Sequence, residues 1–501
     1  QAQDDDIIHV AAGTYVENID FRGKSIAVIG EDRETTIIDG NQNGPVVDCY
    51  YIDNIYFTPI LKSVTLMNGV GENFENGIMG GGVFARYSNP QLENVLITDC
   101  SNIAIYSYNP NTSDTTTIKN CVFSGNSASG NAGIVHFTQS HLKLVNTLIS
   151  DNSGGGLFFD GTNNMSIHII NSTIINNVND MGVLLQGGTN KIINSIISGN
   201  ESTQLRILNS CDLTVEYCEI YGGQDSVLVE GDAVLNWGSG NIDVNPMFVD
   251  TANGNYHLLA SSQLINAGHP DSTDSDGTIA DIGAYPYLTD NTEPVWYINT
   301  AGNDTTGTGT SVNPFASIQA GINFSSDADS VTVAAGTYVE NIDFRGRNIK
   351  VVGEDRETTI IDGNQSGSVV IFLNEFGGGV SAAAMLSGFT ITNGGDVEHG
   401  GGIRLSGGSN PTLNNLIVQN NEANNGGGIS LISSSPTLSN VTISGNTASA
   451  GDGGGLRCIS SSSTDPSSDP SLMNVTITNN TSNGSGGGIY AENSSFTLDS
   501  V

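Results

Sequence analysis

The stretch Asn146–Asn152 reads NTLISDN, and variants of it return through the first half of the chain at intervals of 23 to 26 residues. Each variant starts with Asn, or once with Tyr, and carries an apolar residue three positions later. A repeat of this length, built from short β-branched runs and Gly/Asn turns, is typical of a parallel β-helix and too short for helical repeats. We therefore predict an all-β fold, a right-handed parallel β-helix. The copies start at Asn94, Asn120, Asn146, Asn171, Asn194 and Tyr217, and again at Asn415, Asn440 and Asn474.

The apolar residue of each copy is predicted to point into the coil, because it is apolar every time. Alternation along a strand then places the residue after the first Asn inside and the next one outside. The recurring Asn residues are predicted to stack as side-chain ladders at the corners, amide on amide between coils. The predicted inward column is Ile97, Phe123, Ile149, Ile174, Ile197 and Ile220, continued by Val418, Ile443 and Ile477.

A much longer repeat divides the chain into two tandem units. The stretch Val10–Gly40 returns at Val333–Gly363 with only four differences in 31 positions. We predict a first unit over 1–289 and a second over 290–501, with 245–285 closing the open end of the first coil. The four differences are Lys24/Arg347, Ser25/Asn348, Ala27/Lys350 and Ile29/Val352.

The second unit is predicted to begin with a cap over 295–330, followed by coils over 331–501. Phe315, Ile318 and Ile322 have helical spacing, which predicts a short capping helix over Phe315–Phe324. The second unit has no counterpart of 245–285, so we expect it to be incomplete at its C-terminus.

Composition excludes several classes of partner and site. The net charge is −37 with only 15 Lys and Arg residues, so nucleic acid is not expected as a partner. The six Cys residues form no CxxC pair, which argues against a zinc site or a disulfide framework. No apolar run approaches the roughly 18 residues of a membrane span.

Several motifs resemble known proteins. The lead-in Asn313–Ile322 (NPFASIQAGI) and the segments NPMFVD and DSDGTIADIGAY resemble the first and last parts of secreted bacterial right-handed β-helix proteins of the pectate-lyase-like superfamily. The GGGI and FSGN/ISGN pieces are similar to repeats of polymorphic outer membrane protein adhesins. The resemblance implies a β-helix that is secreted or at the cell surface, of bacterial type. Lyases of this group often combine clustered Asp calcium ligands with a basic residue, and no matching Asp/Asp/Arg cluster is visible here.

One outward column carries basic residues. Lys143, His168 and Lys191 lie three positions before the first Asn of successive copies, with Lys119 nearby. Coils stack about 4.8 Å apart, which predicts a basic ladder roughly 10 Å long that could bind carboxylates or sulfates of an acidic polysaccharide. The alternative is relief of charge on an acidic surface. A catalytic use of this His or Lys would need an acidic partner, and none is identifiable, so no catalytic residue is assigned.

Apolar residues also recur where solvent is expected. One such column contains Leu96, Val122 and Leu148, and another contains Phe84, Val135, Phe158 and Leu184. Exposed apolar stripes predict a partner surface or self-association. The alternatives are that loops of the same chain cover them, or that the assumed register is off by one.

The turn DSTDSDGTIAD brings four carboxylates around Gly277: Asp271, Asp274, Asp276 and Asp281. Hard oxygens in a tight turn suit Ca²⁺, so Ca²⁺ is the one cofactor considered. An acidic, solvated turn is the alternative, because the spacing matches a helix-flanked calcium loop only in part.

Two functions remain open from the sequence. The favoured one is a non-catalytic secreted or cell-surface β-helix protein that acts as an adhesin, a stalk or a subunit of an extracellular assembly. The other is a carbohydrate-active enzyme, a polysaccharide lyase or hydrolase, or a binding module for an acidic polysaccharide. An enzyme needs a charged cluster confined to a few coils, whereas a structural protein is distinguished by its apolar columns and end surfaces.

Overall fold

The computed structural model describes most of the chain: residues 2–50, 56–74, 77–110, 114–128, 133–162, 164–179, 181–373, 380–460 and 467–501. Part of the sequence 460–471, rich in Ser, lies outside these residues. The chain divides into two compact units. The first comprises Gln1–Leu258 and Leu264–Leu288, and the second comprises Leu259–Gln263 and Thr289–Val501.

In the described residues of the first unit, three parallel sheets run along a coil and each coil contributes one strand to each sheet. Sheet A contains Ile7–Val10, Ala27–Gly30, Ile60–Lys62, Gln91–Glu93, Thr115–Lys119, His141–Val145, Ile167–Ile170, Thr189–Ile193, Asp212–Glu216 and Val234–Trp237. Sheet B contains Gly13–Val16, Thr36–Asp39, Thr65–Met67, Leu96–Thr98, Val122–Ser124, Leu148–Ser150, Thr173–Ile175, Ile196–Ser198 and Glu219–Ile220. Sheet C contains Ile19–Asp20, Val47–Tyr50, Val83–Arg86, Ile105–Tyr108, Gly133–Thr138, Gly155–Asp160, Val183–Gln186, Leu205–Leu208 and Leu228–Glu230. Two short antiparallel pairs lie outside these sheets: Glu72–Phe74 with Gly77–Met79, and Phe248–Asp250 with Asn255–Leu258.

The second unit repeats this plan with two sheets partly merged. Sheet D contains Val295–Ile298, Ser330–Val333, Gly336–Val339, Lys350–Gly353, Thr359–Asp362, Met385–Thr392, Thr412–Gln419, Thr437–Ser444, Ser471–Met473, Thr476–Thr478 and Thr497–Asp499. Sheet E contains Ile342–Asp343, Val370–Phe372, Ile403–Ser406, Ile429–Ile432, Leu456–Ile459 and Ile489–Glu492. Sheet F contains Glu422–Ala423, Thr447–Ala448 and Thr481–Ser482.

The predicted inward column is confirmed. Ile97 pairs in register with Phe123, and the pairing continues to Ile149 and Ile174 on the next two coils. All four side chains are fully buried. The residue after each first Asn is buried as well, including Cys121. Stacked apolar side chains of this kind supply the hydrophobic core of a solenoid, one layer per coil.

In the second unit two Asn residues of the predicted column do stack, since Asn474 donates to Asn440 over 2.8 Å. In the first unit the Asn ladder exists, but at a different Asn from the predicted one. The first Asn of each repeat turns the corner between sheets A and B with a positive φ, for example 54° at Asn120. This conformation is one that Asn tolerates better than most side chains. The ladder is formed six positions later by Asn126, Asn152, Asn177 and Asn200, whose amides donate to one another over 3.2, 2.8 and 3.0 Å. The predicted position was wrong because the first Asn and the Asn six positions later recur with the same period. The period alone therefore does not tell which of the two columns forms the ladder.

A second ladder stands at the equivalent turn of the second unit. Asn421 donates to Asn446 over 3.0 Å, and Asn446 donates to Asn480 over 2.9 Å. Each of these amides also donates to the backbone carbonyl of an inward apolar residue, as Asn446 does to Val418. The buried turns therefore leave no amide of the ladder without a hydrogen-bond partner.

The predicted capping helix is present and begins later than expected. Helix α1 spans Ile318–Phe324, with the Ser317 hydroxyl accepting from the backbone N–H of Ala320. All seven helical residues are buried. Phe315 precedes the helix and stacks with Trp296 and Phe324 at ring distances of 6.1 and 5.0 Å.

The segment expected to close the end of the first coil lies across the outer face of sheet B instead. The Tyr256 hydroxyl donates to Asp151 over 2.7 Å and accepts from Asn176. The backbone N–H of Ala284 donates to the Thr173 hydroxyl over 3.0 Å. The physical reason is the apolar outer column of sheet B, which this segment removes from water.

The six Cys residues are free and buried. Burial raises the pKa of the Cys121 and Cys218 thiols to about 12, so both stay protonated at ordinary pH. No helix in the described part of the chain is long and apolar enough to cross a lipid bilayer.

Candidate functional site

The basic residues predicted on one outward column are neighbours in the structure. In sheet A, Lys143 pairs in register with His168, and His168 pairs with Lys191. The Lys143 and His168 side chains are exposed, and Lys191 is partly exposed. Adjacent parallel strands are about 4.8 Å apart, so the three side chains cover roughly 10 Å of this face. We call them the basic column.

Neighbouring positions extend the positive charge of this face. Lys119 lies on the adjacent outward column, paired in register with Val145, and His141 lies on the opposite side with its Nδ1 3.0 Å from the Ser166 hydroxyl. Burial, followed by the charges of Lys143 and Lys191, lowers the pKa of His168. At neutral pH the column is therefore two ammonium groups on either side of an uncharged imidazole.

Acidic residues border this positive patch. Lys191 forms an ion pair with Glu216 at 2.8 Å, and Lys62 forms one with Glu93 at 2.6 Å. Exposed pairs of this type contribute little to stability, about 0–1 kcal/mol. Along sheet A the two ion pairs lie on either side of the strands that carry Lys119, Lys143 and His168.

The apolar column on sheet B is real but is not an exposed stripe. Leu96, Val122 and Leu148 pair in register on successive coils. Leu148 is buried against Tyr256, and Val122, which is half-buried, packs against the same cluster as Phe248 and Tyr285. The alternative of cover by the same chain therefore holds for Leu148 and Val122, which pack against the segment 245–285.

The second apolar column lies on sheet C, and its predicted membership was wrong at one position. Phe84 pairs with Tyr106, which pairs with His136, which pairs with Phe158 and then Leu184. Val135 lies one position earlier, faces the core and is fully buried. Gly133 pairs with Gly155, so Ile134 occupies the position of Gly156, and counting from the last Gly shifts the register by one.

Aromatic rings follow one another along this column. Phe84 and Tyr106 stack at 5.9 Å, and His136 lies 5.2 Å from Tyr106 and 4.5 Å from Phe158. Phe84, Tyr106 and Leu184 are buried, and Met79 of the strand Gly77–Met79 packs against the cluster that contains Phe84 and Tyr106. The column is therefore largely covered by the same chain rather than open to a partner.

Beside this column, sheet C carries a cation among Tyr rings. The Arg86 guanidinium lies over the rings of Tyr50, Tyr87 and Tyr108 at 5.3, 5.0 and 5.9 Å. Such contacts hold a cation against ring faces. Sequence reasoning missed this cluster because Tyr50, Tyr87 and Tyr108 belong to three different coils.

Carboxylates lie at the N-terminal end of the same sheet. Asp48 pairs in register with Asp20 of the preceding coil. Burial, with smaller contributions from the charges of Asp20 and Glu72, raises the pKa of the half-buried Asp48 to about 6. This face therefore carries one carboxyl group, that of Asp48, which takes up a proton in weak acid. The negative charges of the neighbouring carboxylates favour its protonated form.

The Asp-rich turn does not gather its four carboxylates into a cation site. Asp281 is buried and accepts from the backbone N–H groups of Asn266 and Tyr287, both at 2.7 Å. Asp274 accepts from the backbone N–H of Asp281, and Asp276 accepts from Thr278. Asp271 remains exposed. Among the described residues, no group of three or more His, Cys, Asp or Glu side chains is placed to hold a metal ion.

The fold class agrees with a known family. Residues 111–254 match the family described as right handed beta helix region. This confirms the predicted right-handed parallel β-helix and the resemblance to that class. The chain is a right-handed parallel β-solenoid.

Solved structures with which the chain can be aligned are carbohydrate-active enzymes. One is the PL6 family alginate lyase AlyGC, with 11% sequence identity, 96% of this chain and 87% of that chain covered, and a TM-score of 0.20. Another is the catalytic domain of a GH87 alpha-1,3-glucanase in complex with tetrasaccharides, with 11% identity, 98% and 64% coverage, and a TM-score of 0.19. No protein with a curated description matches the chain. At this identity neither likeness reaches beyond the fold.

Proposed function

We propose that this protein is a non-catalytic, extracellular β-solenoid that attaches to an acidic polysaccharide through the basic column of sheet A. The observation that carries the proposal is the in-register alignment of Lys143, His168 and Lys191 on three successive coils. The chain has a net charge of −37, and these cations stand together on one face of it.

A linear polyanion suits this geometry. The basic column runs along the solenoid with one cation or titratable nitrogen per coil, and the charges of a polyuronate or sulfated glycan also recur at regular intervals. The acidic surface around the patch repels a polyanion elsewhere, so binding is confined to this strip. Lys and protonated His supply charge-assisted hydrogen bonds to carboxylate or sulfate oxygens.

The acidic surface charge and the polysaccharide ligand support a location outside the cell, at its surface or secreted. An adhesin or a stalk that holds a matrix does not need to convert a substrate. The basic column fits such a role, because it offers charge and hydrogen bonds but no acidic partner for His168. Self-association through end surfaces remains compatible with this use of sheet A.

Binding to polygalacturonate, alginate and a sulfated glycan tests the proposal. Lys143→Ala should weaken binding about tenfold, the effect of losing one charge-assisted contact. Lys62→Ala is the matched control, because Lys62 lies on the same sheet but pairs with Glu93. Equal affinities for the two variants would contradict the proposal.

Acidity gives a second test of the same site. Because the pKa of His168 is lowered by burial and by the flanking Lys residues, the imidazole gains its proton only below its usual range. Affinity should therefore rise as the pH falls toward 5, and His168→Gln should remove that rise. A wild-type affinity that stays flat with pH would count against a role for this side chain.

Hydrolysis of a glycosidic bond is a second candidate, favoured by Asp48. A carboxyl with a pKa raised to about 6 can donate a proton to a leaving oxygen, while Asp20 beside it acts as base or nucleophile. Release of reducing ends from a polysaccharide panel at pH 5–6 tests it. Asp48→Asn should abolish release and Asp160→Asn, on the same sheet, should not. No release by the wild type would exclude this candidate for the panel.

A further inference from the structure

Two arginines and a serine of the second unit share one outward column. In sheet E, Arg404 pairs in register with Ser430, and Ser430 pairs with Arg457. The two arginines therefore lie on coils either side of the serine, with their backbones roughly 10 Å apart. His399 lies on the turn that precedes Arg404.

Polar atoms of this group are buried without hydrogen-bond partners. They are Nε of Arg404, Nε and Nη1 of Arg457, Oγ of Ser430 and Nδ1 of His399. Ser430 is fully buried between the two arginines. Buried donors are nearly always paired in native proteins, so several unpaired donors in one place indicate an acceptor that is missing.

The missing acceptor is an anion, because the group is positively charged. Within the described residues, no carboxylate forms an ion pair with Arg404 or Arg457. Burial, followed by the charges of Arg457 and Arg404, lowers the pKa of His399, and the charge of Glu398 opposes this shift. The nearby Glu398 is already held by the side-chain amides of Asn424 and Asn425.

Glycine turns pack their backbone directly against the column. A Cβ atom at Gly426 would lie 2.8 Å from the Ser430 Cβ and 3.2 Å from the Arg457 Cβ. A Cβ atom at Gly453 would lie 2.7 Å from the Arg457 Cβ. Both glycines have a positive φ, near 65° and 73°, which ordinary side chains rarely adopt. Any other residue at these turns would press on the arginine and serine side chains.

We propose that Arg404, Ser430 and Arg457 form a binding site for an oxyanion, either a carboxylate or a tetrahedral sulfate or phosphate group. Guanidinium groups present paired donors that match the oxygens of these anions, and the Ser430 hydroxyl adds a donor between them. The site is in the second unit and on a different sheet from the basic column. A test of this site is therefore independent of a test of the function proposed above.

Calorimetric titration of the full chain with sodium sulfate, sodium phosphate and galacturonate, at constant ionic strength, tests the site. At least one of these anions should bind, and Arg457→Gln should weaken it by about tenfold or more. Sulfate and phosphate without galacturonate would identify a tetrahedral anion, and galacturonate alone would identify a carboxylate. The matched control is Lys350→Gln, an exposed cation of the same unit.

Stability without ligand separates a binding role from a structural one. Because its Nε and Nη1 have no partner, replacing Arg457 should leave the anion-free unfolding midpoint unchanged or raise it. Absence of binding for all three anions, or equal affinity in wild type and Arg457→Gln, would overturn the proposal. A lowered anion-free midpoint with unchanged affinity would assign the arginine to folding and overturn it equally.

Discussion

The two copies of the duplicated stretch have nearly the same sequence but different surroundings. Val10–Gly40 lies in the first unit with several apolar side chains partly open, whereas several of their counterparts in Val333–Gly363 are buried. Ile19 is half-buried, while its counterpart Ile342 is fully buried. The interior residues Phe21 and Phe344 are buried alike.

The difference comes from α1 and the strand Val295–Ile298, which precede the second copy and pack on it. Glu340 accepts from the first backbone N–H groups of α1, at Ile318 and Gln319, over 2.8 and 3.0 Å. In the first copy the same glutamate, Glu17, is exposed. A coil sequence therefore determines its own interior, but the burial of its outer and end-facing residues depends on what packs against it.

The largest expected effect comes from truncating the isoleucine that differs in burial. Ile342→Ala should cost about 2–5 kcal/mol of local stability, because it removes a fully buried side chain. Ile19→Ala should cost about half as much or less, because that side chain is already half in water. Hydrogen exchange of the two stretches, distinguishable by their four differences, measures both. Equal losses would show that the cover over the second copy does not protect Ile342.

A pH effect should follow at Glu340. Burial raises the pKa of its carboxyl from 4.5 to about 7, so between these values the folded chain keeps a proton that the unfolded chain has lost. The contribution of this group to stability is thus fully present below pH 4.5 and is lost as the pH rises to 7, by about 3 kcal/mol at most. Comparing wild type with Glu340→Gln by urea denaturation across pH 4–8 isolates the contribution of this carboxyl. The exposed Glu17→Gln is the control, and parallel curves for wild type and Glu340→Gln would refute the effect.

The smallest effect is expected from exchanging the residue types of Lys24 and Arg347, the first of the four pairs that differ between the copies. The Arg347 guanidinium donates to the carbonyls of Ile322, Asn323 and Ser325 at the end of α1. Arg347→Lys should loosen α1 by about 1–2 kcal/mol, since an ammonium group cannot reproduce the planar fork. The reciprocal Lys24→Arg should change stability by less than about 0.5 kcal/mol. Exchange rates of the α1 amides report the first change, and an unaltered helix would mean that these contacts are dispensable.

The coil interior could be predicted from sequence because its signal is periodic. Every copy places an apolar residue at the same offset, so the repeat alone assigns Ile97 and Phe123 to one column, and their pairing in register confirms it. The basic column follows in the same way, since Lys143, His168 and Lys191 share an offset from the first Asn. Residues of a solenoid that have one offset lie in one column as long as the turns between them have equal length.

Features that depend on turn length or on distant segments could not be predicted. Val135 was placed one position off because Ile134 stands where the next coil has Gly156. The cover over Leu148 comes from Tyr256, more than a hundred residues away, and no periodic signal links them. Arg404, Ser430 and Arg457 do share an offset, because each follows three glycines and one apolar residue, but the burial of their polar atoms has no signal in the sequence.

The ladder of buried amides permits local change in chain length. Successive rungs are 23 residues apart between Asn177 and Asn200 and 34 apart between Asn446 and Asn480, yet the side chains meet at about the same distance. Coils of different length therefore still bring their Asn side chains into the same ladder. In evolution such a chain can change its surface loops coil by coil, and so its binding partners, while its backbone scaffold stays the same.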